Sequence, residues 1–418
     1  MYDIESKQEP ERAVLCGLDT GEYDAEASMD ELRELARTAG AEVIATVLQP
    51  RPAPDAATFL GIGKLDEIKV YYKSEADLLI VDDEITPSQQ RNIEDYTGLR
   101  VVDRTMLILD IFAMRARTKE GRLQVELAQL SYRLPRLTGQ GTSLSRLGGG
   151  IGTRGPGESK LESDRRHIMR RIRAIQKELK NVEKRRTYAR RRRDKTGVET
   201  AVLMGYTNAG KSTLMNALTD AGVLTEDKLF ATLDPTARAL RLPSGRTVLL
   251  IDTVGLIRRL PHELVDAFHS TLEEAAAADV ILNVVDASSP DCEEHIRVTR
   301  ELLLELHAGS IPVVTVLNKA DQVFDRTDLP KADCAVAVSA KYGTGLHELE
   351  QAIEAALPKD RVRVTYLFPY DNLSPAAEVR KDGTVFSEQY TDAGLKLDVL
   401  SSTRMAGKYE AFLDESGI

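Results

Sequence analysis

The chain has 418 residues, 42% of them hydrophobic, and a formal net charge of −10. This length accommodates two to four domains, each with its own core. The first ten residues are polar and no apolar run is long enough to cross a bilayer, so the sequence predicts a cytoplasmic protein without a signal peptide. Its three cysteines are far apart and are expected to be reduced and mostly buried, which argues against a disulfide scaffold.

Short apolar stretches alternate with helix-like stretches over the first hundred residues. The predicted strands and the helices between them are, in chain order, Val14–Leu18, Asp30–Ala39, Glu42–Leu48, Lys64–Tyr72, Leu78–Asp82, Pro87–Tyr96 and Arg100–Val102. This alternation is typical of a small parallel α/β domain, which we place at residues 1–105. Gly61–Lys64 favours a plain turn into a helix over an anion site, because the rest of a phosphate-binding motif is missing.

Two periodic apolar stretches follow within residues 106–196. Their positions, spaced alternately by three and four residues, are Leu123, Leu127, Leu130 and Leu134, then Ile168, Ile172, Ile175, Leu179 and Val182. Such seams predict two helices that pack as an antiparallel hairpin. The loop between them, residues 138–157, would form the tip; it holds eight glycines together with Arg146 and Arg154.

The second helix of this predicted hairpin is strongly basic. Between Lys160 and Lys195 there are 16 Lys or Arg residues against 5 Asp or Glu, and Arg190–Arg193 form a continuous run. A concentrated basic segment in an otherwise acidic chain favours contact with RNA phosphates over a merely solvated face. Glycines at the tip permit close backbone approach to a partner, whereas a passive linker is the alternative interpretation of that loop.

A phosphate-binding motif opens the next region, predicted as a G domain at residues 197–358. The apolar strand Ala201–Met204 leads directly into a stretch, Gly205–Ser212, that matches G-x-x-x-x-G-K-[ST], and a helix-forming stretch follows. The glycines let backbone N–H groups surround phosphate oxygens. Lys211 would reach the β- and γ-phosphates, and the Ser212 hydroxyl would bind Mg²⁺.

Three more motifs follow in the order that a G domain requires, each after a predicted strand. Asp252–Gly255 is a D-x-x-G element, in which Asp252 would hold Mg²⁺ and the Gly255 N–H would meet the γ-phosphate. Asn318–Asp321 is an N-K-x-D element, whose carboxylate can accept two donors that guanine presents and adenine lacks, so the nucleotide is predicted to be GTP. Ser339–Lys341 would close over the base.

The segments around the γ-phosphate carry two further predictions. A switch I loop is predicted at Leu229–Thr236, with Thr232 as its Mg²⁺ ligand and Thr236 as the alternative. Leu256 stands directly after D-x-x-G, where many GTPases place a glutamine that orients the attacking water. Intrinsic hydrolysis is therefore expected to be slow and to need a partner that completes the site.

The predicted site thus has three overlapping sets of residues. The catalytic set is Lys211, Thr232 and Gly255, and the Mg²⁺ ligands are Ser212, Thr232 and Asp252. The residues predicted to bind GTP or GDP are Gly205, Tyr206, Thr207, Asn208, Ala209, Gly210, Lys211, Ser212, Thr213, Phe230, Ala231, Thr232, Leu233, Asp234, Asp252, Thr253, Val254, Gly255, Asn318, Lys319, Ala320, Asp321, Ser339, Ala340 and Lys341.

Residues 359–418 are predicted to form a small α+β appendage rich in strands. The predicted strands are Val362–Leu367, Glu378–Arg380 and Thr384–Phe386, with a hairpin turn at Asp382-Gly383. Nothing in this segment forms a recognisable catalytic constellation.

The chain resembles the HflX family of ribosome-associated GTPases over residues 10–360. Besides the G motifs, the resemblance rests on Asp82–Glu84, Pro87–Asn92, Asp103–Gly139 and Gly148–Asp164. The family's two switch segments also match, at Phe230–Asp234 and Asp252–Glu274. It implies binding to the large ribosomal subunit, with the glycine-rich tip directed toward the peptidyl-transferase region. It also implies a role in ribosome splitting, rescue or biogenesis. We expect a monomer in the cytoplasm, with part of it at ribosomes or at the membrane periphery.

Two other functions are compatible with parts of the sequence. A signalling switch with a protein partner would explain the G motifs but not the basic hairpin. An RNA remodeller that also uses ATP would need a second nucleotide site, and no such motif is recognisable in residues 1–105.

Overall fold

A computed structural model describes most of the chain. The described residues are 9–137, 156–196, 198–219, 229–230, 235–259, 275–306, 308–324, 329–330, 332, 334–357 and 361–414. They fall into two compact units, the first within residues 1–180, 226–234 and 257–269, the second within 181–225, 235–256 and 270–418. The boundaries proposed above after residues 105, 196 and 358 stay predictions.

The first unit is built on a four-stranded parallel sheet in the order β2-β1-β3-β4. Its strands are β1 (Arg12–Asp19), β2 (Glu42–Pro50), β3 (Leu78–Val81) and β4 (Arg100–Asp103), and the helices between them are α1 (Ala25–Thr38), α2 (Ile62–Tyr72) and α3 (Pro87–Thr97). The prediction of a small parallel α/β domain is confirmed, with every element close to its predicted place.

Side-chain caps determine where helices of this unit begin. The Asp24 carboxylate accepts from a backbone N–H at the start of α1, and Thr86 and Gln89 form a reciprocal capping box at α3. Asp103 ends β4 and caps the next helix, α4 (Arg104–Arg115). Each cap satisfies a first-turn N–H group that has no partner within its helix. Because Val81 lies opposite Asp103 in the register, Asp82 and Asp103 share one edge of the sheet.

The predicted helical hairpin is formed by α5 (Lys119–Leu137) and α6 (Pro156–Thr196). Glu126 pairs with Arg171 at 2.6 Å, and Lys119 pairs with Glu178 at 3.0 Å. The residue number rises on one helix as it falls on the other, so the two helices run antiparallel, as predicted. The tip loop at residues 138–157 lies almost entirely outside the described residues.

The apolar faces of the hairpin agree with the predicted seam on α6 and depart from it on α5. Ile175 is fully buried on α6, and its seam neighbours are less exposed than the residues around them. On α5 the buried positions are Gly121, Leu123, Val125, Ala128 and Tyr132, whereas Leu127, Leu130 and Leu134 are only half-buried. The leucine repeat missed this face because α5 also packs against α4.

The second unit holds a six-stranded sheet in the order β10-β9-β8-β5-β7-β6. Its elements are β5 (Glu199–Met204), α7 (Lys211–Thr219), β6 (Thr236–Arg241), β7 (Thr247–Asp252), β8 (Val280–Asp286), α8 (Cys292–Glu305), β9 (Val313–Asn318), a 3₁₀ turn (Ala320–Gln322), β10 (Ala335–Ala337) and α9 (Leu346–Ala356). Strand β6 pairs antiparallel with β7, and the other pairs are parallel. This confirms the predicted G-domain sheet, whose apolar strands form a continuous buried core.

The C-terminal part of this unit is an antiparallel sheet in the order β11-β13-β12 with helices beside it. Its elements are β11 (Arg361–Phe368), α10 (Ser374–Asp382), β12 (Thr384–Thr391), β13 (Gly394–Ser402), α11 (Thr403–Lys408) and a 3₁₀ turn (Glu410–Phe412). The rings of Tyr366 and Phe368 stack 5.3 Å apart in its core. Arg363 pairs with Asp398 at 2.7 Å and donates to the Ser244 carbonyl in the turn between β6 and β7.

Two predictions in this appendage are wrong. Glu378–Arg380 is part of α10 rather than a strand, because Pro375 in the first turn and the alanines after it favour a helix. Gly383 is the C-cap of that helix rather than the second residue of a hairpin turn. The hairpin is made instead by β12 and the unpredicted β13, and Thr391 pairs with Gly394 where the two strands meet.

Two further observations complete the fold. Cys16 and Cys292 are buried, whereas Cys334 is exposed directly before β10. Among the described residues, no helix has the length and apolarity that crossing a membrane requires.

Candidate nucleotide-binding site

The loop between β5 and α7 has the shape of a phosphate cradle. Gly205 has φ = 139° and Gly210 has φ = 90°, conformations that side chains rarely adopt. A β-carbon at Gly205 would overlap the Val284 carbonyl, and one at Gly210 would overlap the Asn318 amide. Both glycines of the motif are therefore required by the packing of the sheet as well as by any ligand.

Lys211 is buried at the start of α7, with 6% of its surface exposed. Its ammonium donates to the carbonyls of Gly205 and Tyr206 at 2.9 and 2.7 Å. Burial lowers the pKa of Lys211 to about 8, and the nearby Asp252 carboxylate opposes this shift only in part. A buried cation that faces neutral carbonyls is well placed to gain from an anionic ligand.

Two of the residues predicted to bind Mg²⁺, Ser212 and Asp252, lie together beside Lys211. The Ser212 hydroxyl donates to Asp252 Oδ2 at 2.7 Å, and Asp252 is fully buried at the end of β7. A hydroxyl and a carboxylate are hard oxygen donors that suit Mg²⁺, so this pair fits the ion. Thr232 lies outside the described residues, as do Ala231, Leu233 and Asp234.

The D-x-x-G segment is pressed against the phosphate loop. Leu256 N–H donates to the Gly205 carbonyl at 3.0 Å, and Thr207 N–H donates to the Leu256 carbonyl at 2.8 Å. A β-carbon at Gly255 would lie 2.7–3.0 Å from atoms of Thr207, so only glycine fits there. The hydroxyl of Thr253 donates to the Leu203 carbonyl, which ties this segment to β5. Leu256 itself is buried and offers no polar side chain.

Asn318 connects the phosphate loop, Gly205–Ser212, with the segment predicted to close over the base, Ser339–Lys341. Its amide donates to the Ala209 carbonyl at 2.8 Å, and its oxygen accepts from Ala340 N–H at 3.0 Å. The Ser339 hydroxyl donates to Asp321 Oδ1 at 2.5 Å, which orients the carboxylate predicted to read guanine. Two of the predicted motifs are thereby held to the phosphate loop through one asparagine. Lys341, in contrast, is exposed, and its ammonium lies over the Tyr342 ring.

One contact at this loop was not predicted. The ring of Tyr206 stacks on His295 of α8, with centroids 3.8 Å apart and planes 22° from parallel. This packs the second residue of the phosphate loop against a helix. No sequence pattern indicated it, because the two residues are 89 positions apart and neither belongs to a shared motif.

The first unit contains a second group of polar contacts, in which Arg258 and Arg259, shortly after the D-x-x-G segment, meet residues from the first 104 positions. We call Ser28, Glu31, Asp82, Arg104, Arg258 and Arg259 the switch-flank cluster. Arg259 donates to Asp82 Oδ2 at 2.6 Å and to the Ser28 hydroxyl at 2.7 Å, and its guanidinium lies over the Tyr23 ring. Arg259 adopts φ = 46°, an uncommon conformation for a non-glycine residue.

Arg104 forms the buried centre of this cluster. It pairs with Asp82 at 2.8 Å and with Glu31, and it donates to the Arg258 carbonyl at 3.1 Å. Burial raises the pKa of Glu31, although Arg104 pulls it downward. Tyr132 and Arg136 of α5 bond to Asp103, the residue before Arg104. Because Asp103 and Arg104 are neighbours in the chain, α5 and the residues after D-x-x-G are linked within the first unit.

Phe230, predicted to lie in switch I, also belongs to the first unit. Its ring packs edge-on against Phe112 of α4 at 4.6 Å, it is 2% exposed, and its φ is 55°. Phe230 of predicted switch I and the arginines after D-x-x-G thus contact elements from the first 137 residues. Sequence motifs missed these contacts because they join residues more than a hundred positions apart.

Comparison with known proteins defines the class of this site. Residues 26–113 and 115–193 match family profiles described as the GTP-binding GTPase N-terminal and middle regions, and residues 200–319 match one described as 50S ribosome-binding GTPase. With the phosphate cradle and the four ordered motifs, these matches identify a P-loop GTPase that binds guanine nucleotides and hydrolyses GTP.

The relatives define the particular family. The chain is 51% identical to GTPase HflX of Caldanaerobacter subterraneus subsp. tengcongensis, over 94% of this chain and 91% of that protein. It is 44% identical to GTPase HflX of Escherichia coli strain K12, over 86% of each. The chain belongs to the HflX family of GTPases. A GTP-binding protein from Sulfolobus solfataricus, solved in complex with GDP, is 25% identical over 83% of this chain and 98% of that one, with a TM-score of 0.45.

Proposed function

We propose that this GTPase binds the large ribosomal subunit and couples GTP hydrolysis to ribosome splitting, rescue or biogenesis. The observation that carries the proposal is a set of contacts within the first unit. Arg171 of the basic helix α6 pairs with Glu126 of α5, and Arg136 of α5 pairs with Asp103. The next residue, Arg104, donates to the Arg258 carbonyl after the D-x-x-G segment.

In the nucleotide site, the chain supplies binding and electrostatic stabilisation. Backbone N–H groups of Gly205–Ser212 would surround the phosphates, and Lys211 would stabilise charge on the β- and γ-phosphates. Ser212, Asp252 and Thr232 would hold Mg²⁺, which when bound neutralises charge on the phosphate oxygens. The Gly255 N–H would bind the γ-phosphate, and Asp321 would accept from the guanine edge.

The chain lacks a side chain to orient the attacking water at the usual position. Leu256 is apolar and buried, and its backbone is bonded to Gly205 and Thr207. We therefore expect slow intrinsic hydrolysis that rises when a partner rearranges the segment after Gly255. Arg258 is separated from Gly255 by only two residues, Leu256 and Ile257, so we expect a change in the first unit to reach that segment along the chain.

The hairpin supports RNA as the partner. In the described part of α6, Arg165, Arg166, Arg170, Arg173 and Lys177 are all exposed. Their positive charge, in a chain that is acidic elsewhere, favours phosphate contacts at one surface. The family description of a 50S ribosome-binding GTPase agrees with this chemistry. The proposal places a monomer in the cytoplasm.

The test combines GTP turnover with co-sedimentation on purified large subunits. We expect subunits to stimulate hydrolysis and to pellet the protein in low salt but not in high salt, because release of counterions drives phosphate contacts. Replacing Arg190–Arg193 with alanine should weaken pelleting and stimulation while GTP affinity stays unchanged.

A matched control is the pair Arg297→Ala and Arg300→Ala on α8, which also removes arginines from an exposed helix face. It should leave both measurements unchanged. A wild-type protein that neither pellets with large subunits nor responds to them would overturn the proposal.

A further inference from the structure

Asp286 makes an ion pair beside the predicted base-binding loop. It ends β8, and in the register it lies opposite Asn318, the last residue of β9. The next residue, Lys319, places its ammonium 2.7 Å from Asp286 Oδ2. The two side chains are 25% and 21% exposed, so the pair is largely shielded from water. No sequence motif includes Asp286.

The other oxygen of Asp286 is held in place as well. Oδ1 accepts from the Ser288 backbone N–H at 3.0 Å and from its hydroxyl at 2.6 Å. Ala287 N–H donates to the Asn318 carbonyl at 2.8 Å, which ties the same segment to β9. A carboxylate fixed through both oxygens can hold a cation in one position, unlike a freely rotating surface pair.

Lys319 occupies a backbone conformation that benefits from such a contact. Its φ is 59°, in the left-handed region that is unfavourable for a non-glycine residue. The 3₁₀ turn that begins at Ala320 follows at once and carries Asp321. If Lys319 relaxed toward an ordinary conformation, the turn would rotate and the Asp321 carboxylate would move.

We propose that Asp286 is a positioning residue for guanine specificity: by holding Lys319, it keeps Asp321 where both guanine donors can reach it. This inference rests on the proposed role of Asp321 and adds a residue that the motifs do not contain.

The test is the ratio of GTP affinity to ITP affinity in Asp286→Asn. The base of ITP keeps the ring N–H and lacks the exocyclic amine, so it forms one of the two bonds to Asp321. A displaced carboxylate should weaken GTP binding by roughly tenfold and ITP binding by less, which lowers the ratio. At saturating GTP, kcat should be unchanged, since the phosphates are held elsewhere.

A double-mutant cycle shows whether Asp286 acts through Lys319. If it does, Asp286→Asn should have no further effect on the ratio in a Lys319→Met background. The control is Asp279→Asn, directly before the opposite end of β8, where the carboxylate accepts from Thr200 N–H at 2.7 Å. This variant can lose thermal stability, but it should keep the wild-type ratio.

The outcomes separate this inference from the proposed site. If Asp321→Asn kept full preference for GTP, the proposed guanine site itself would be wrong. If Asp321→Asn lost that preference while Asp286→Asn kept it, the site would stand and the role of Asp286 would be refuted. Equal loss of GTP and ITP binding in Asp286→Asn would likewise refute it.

Discussion

Two buried cations, one in each unit, are compensated in different ways. The Arg104 guanidinium meets the carboxylates of Asp82 and Glu31 and a backbone carbonyl. The Lys211 ammonium donates to two neutral carbonyls, and its pKa is lowered to about 8 by burial. Arg104 pairs directly with two carboxylates in the free protein, whereas the nearby Asp252 carboxylate offsets the burial of Lys211 only in part.

Arg104 is therefore part of a structural ion-pair network, whereas Lys211 is placed to bind an anionic ligand. Desolvating a charge is costly unless an opposite charge and hydrogen bonds offset it. The protein accepts this cost at Lys211, and bound phosphates would offset it. At Arg104 the offset is already built into the first unit. The same substitution, to methionine, should therefore lower the free energy of unfolding at Arg104 and leave it nearly unchanged at Lys211.

The largest effect on stability is expected for Arg104→Met. It leaves Glu31 and part of Asp82 buried without their partner, which should lower the free energy of unfolding of the first unit by about 3–5 kcal/mol. Urea denaturation of the nucleotide-free protein would measure this. Arg37→Met, which breaks an exposed pair with Glu34 on α1, is the control and should change stability little. Equal stability of the two variants would contradict the contrast.

Lys211→Met should leave the free energy of unfolding unchanged within about 1 kcal/mol, because it removes an incompletely compensated buried charge. It should lower GTP turnover by at least about 100-fold, since the charge that faces the terminal phosphates is lost. Single-turnover hydrolysis and urea denaturation on the same preparation would show both. Full GTPase activity in this variant would sink the assignment of the phosphate site.

The smallest expected effect is the dependence of GTP affinity on pH. Below about pH 8 Lys211 is charged in the free protein, and above it the neutral form prevails, so phosphate binding must then take up a proton. GTP affinity should fall about tenfold between roughly pH 7 and 9. The stability of the nucleotide-free protein should change with pH in the opposite direction. Unfolding restores the ordinary, higher pKa of this lysine, so the unfolded state binds more protons and the free energy of unfolding rises with pH above 8. Calorimetric titrations in two buffers of different ionisation enthalpy would detect the proton.

Asp321→Asn provides the control for that titration. It should weaken GTP binding, but the GTP affinity should depend on pH as in the wild-type protein, because Asp321 binds the base and Lys211 faces the phosphates. A flat pH profile in the wild-type protein would mean that Lys211 stays charged without a ligand.

The phosphate site could be predicted because its residues follow strands of one parallel sheet. Gly205, Asp252 and Asn318 each stand where a strand ends, and parallel strands bring such ends to the same edge. The hairpin was predictable for a similar reason, since periodicity of three and four residues places apolar side chains on one helix face.

The switch-flank cluster was not predictable from the same information. Arg259 and Asp82 are 177 residues apart, and an ion pair between residues so distant has no signature in the local sequence. The strand predicted at Glu378–Arg380 failed because three residues between turn signals carry too little periodicity to separate strand from helix. The helix start at Ser374-Pro375 was the stronger signal there.

The exposure of Cys334 gives this protein a ready site for a reporter group. Burial raises the pKa of the Cys16 thiol, and it raises the pKa of Cys292 to about 11. Both thiols therefore remain protonated near neutral pH and react slowly with maleimides. Cys334 is exposed, and its carbonyl accepts from Thr315 N–H of β9 at 3.2 Å. A fluorophore attached there, without any mutation, would sit at the head of the strand that leads to Ser339. Its emission could then follow nucleotide exchange in real time.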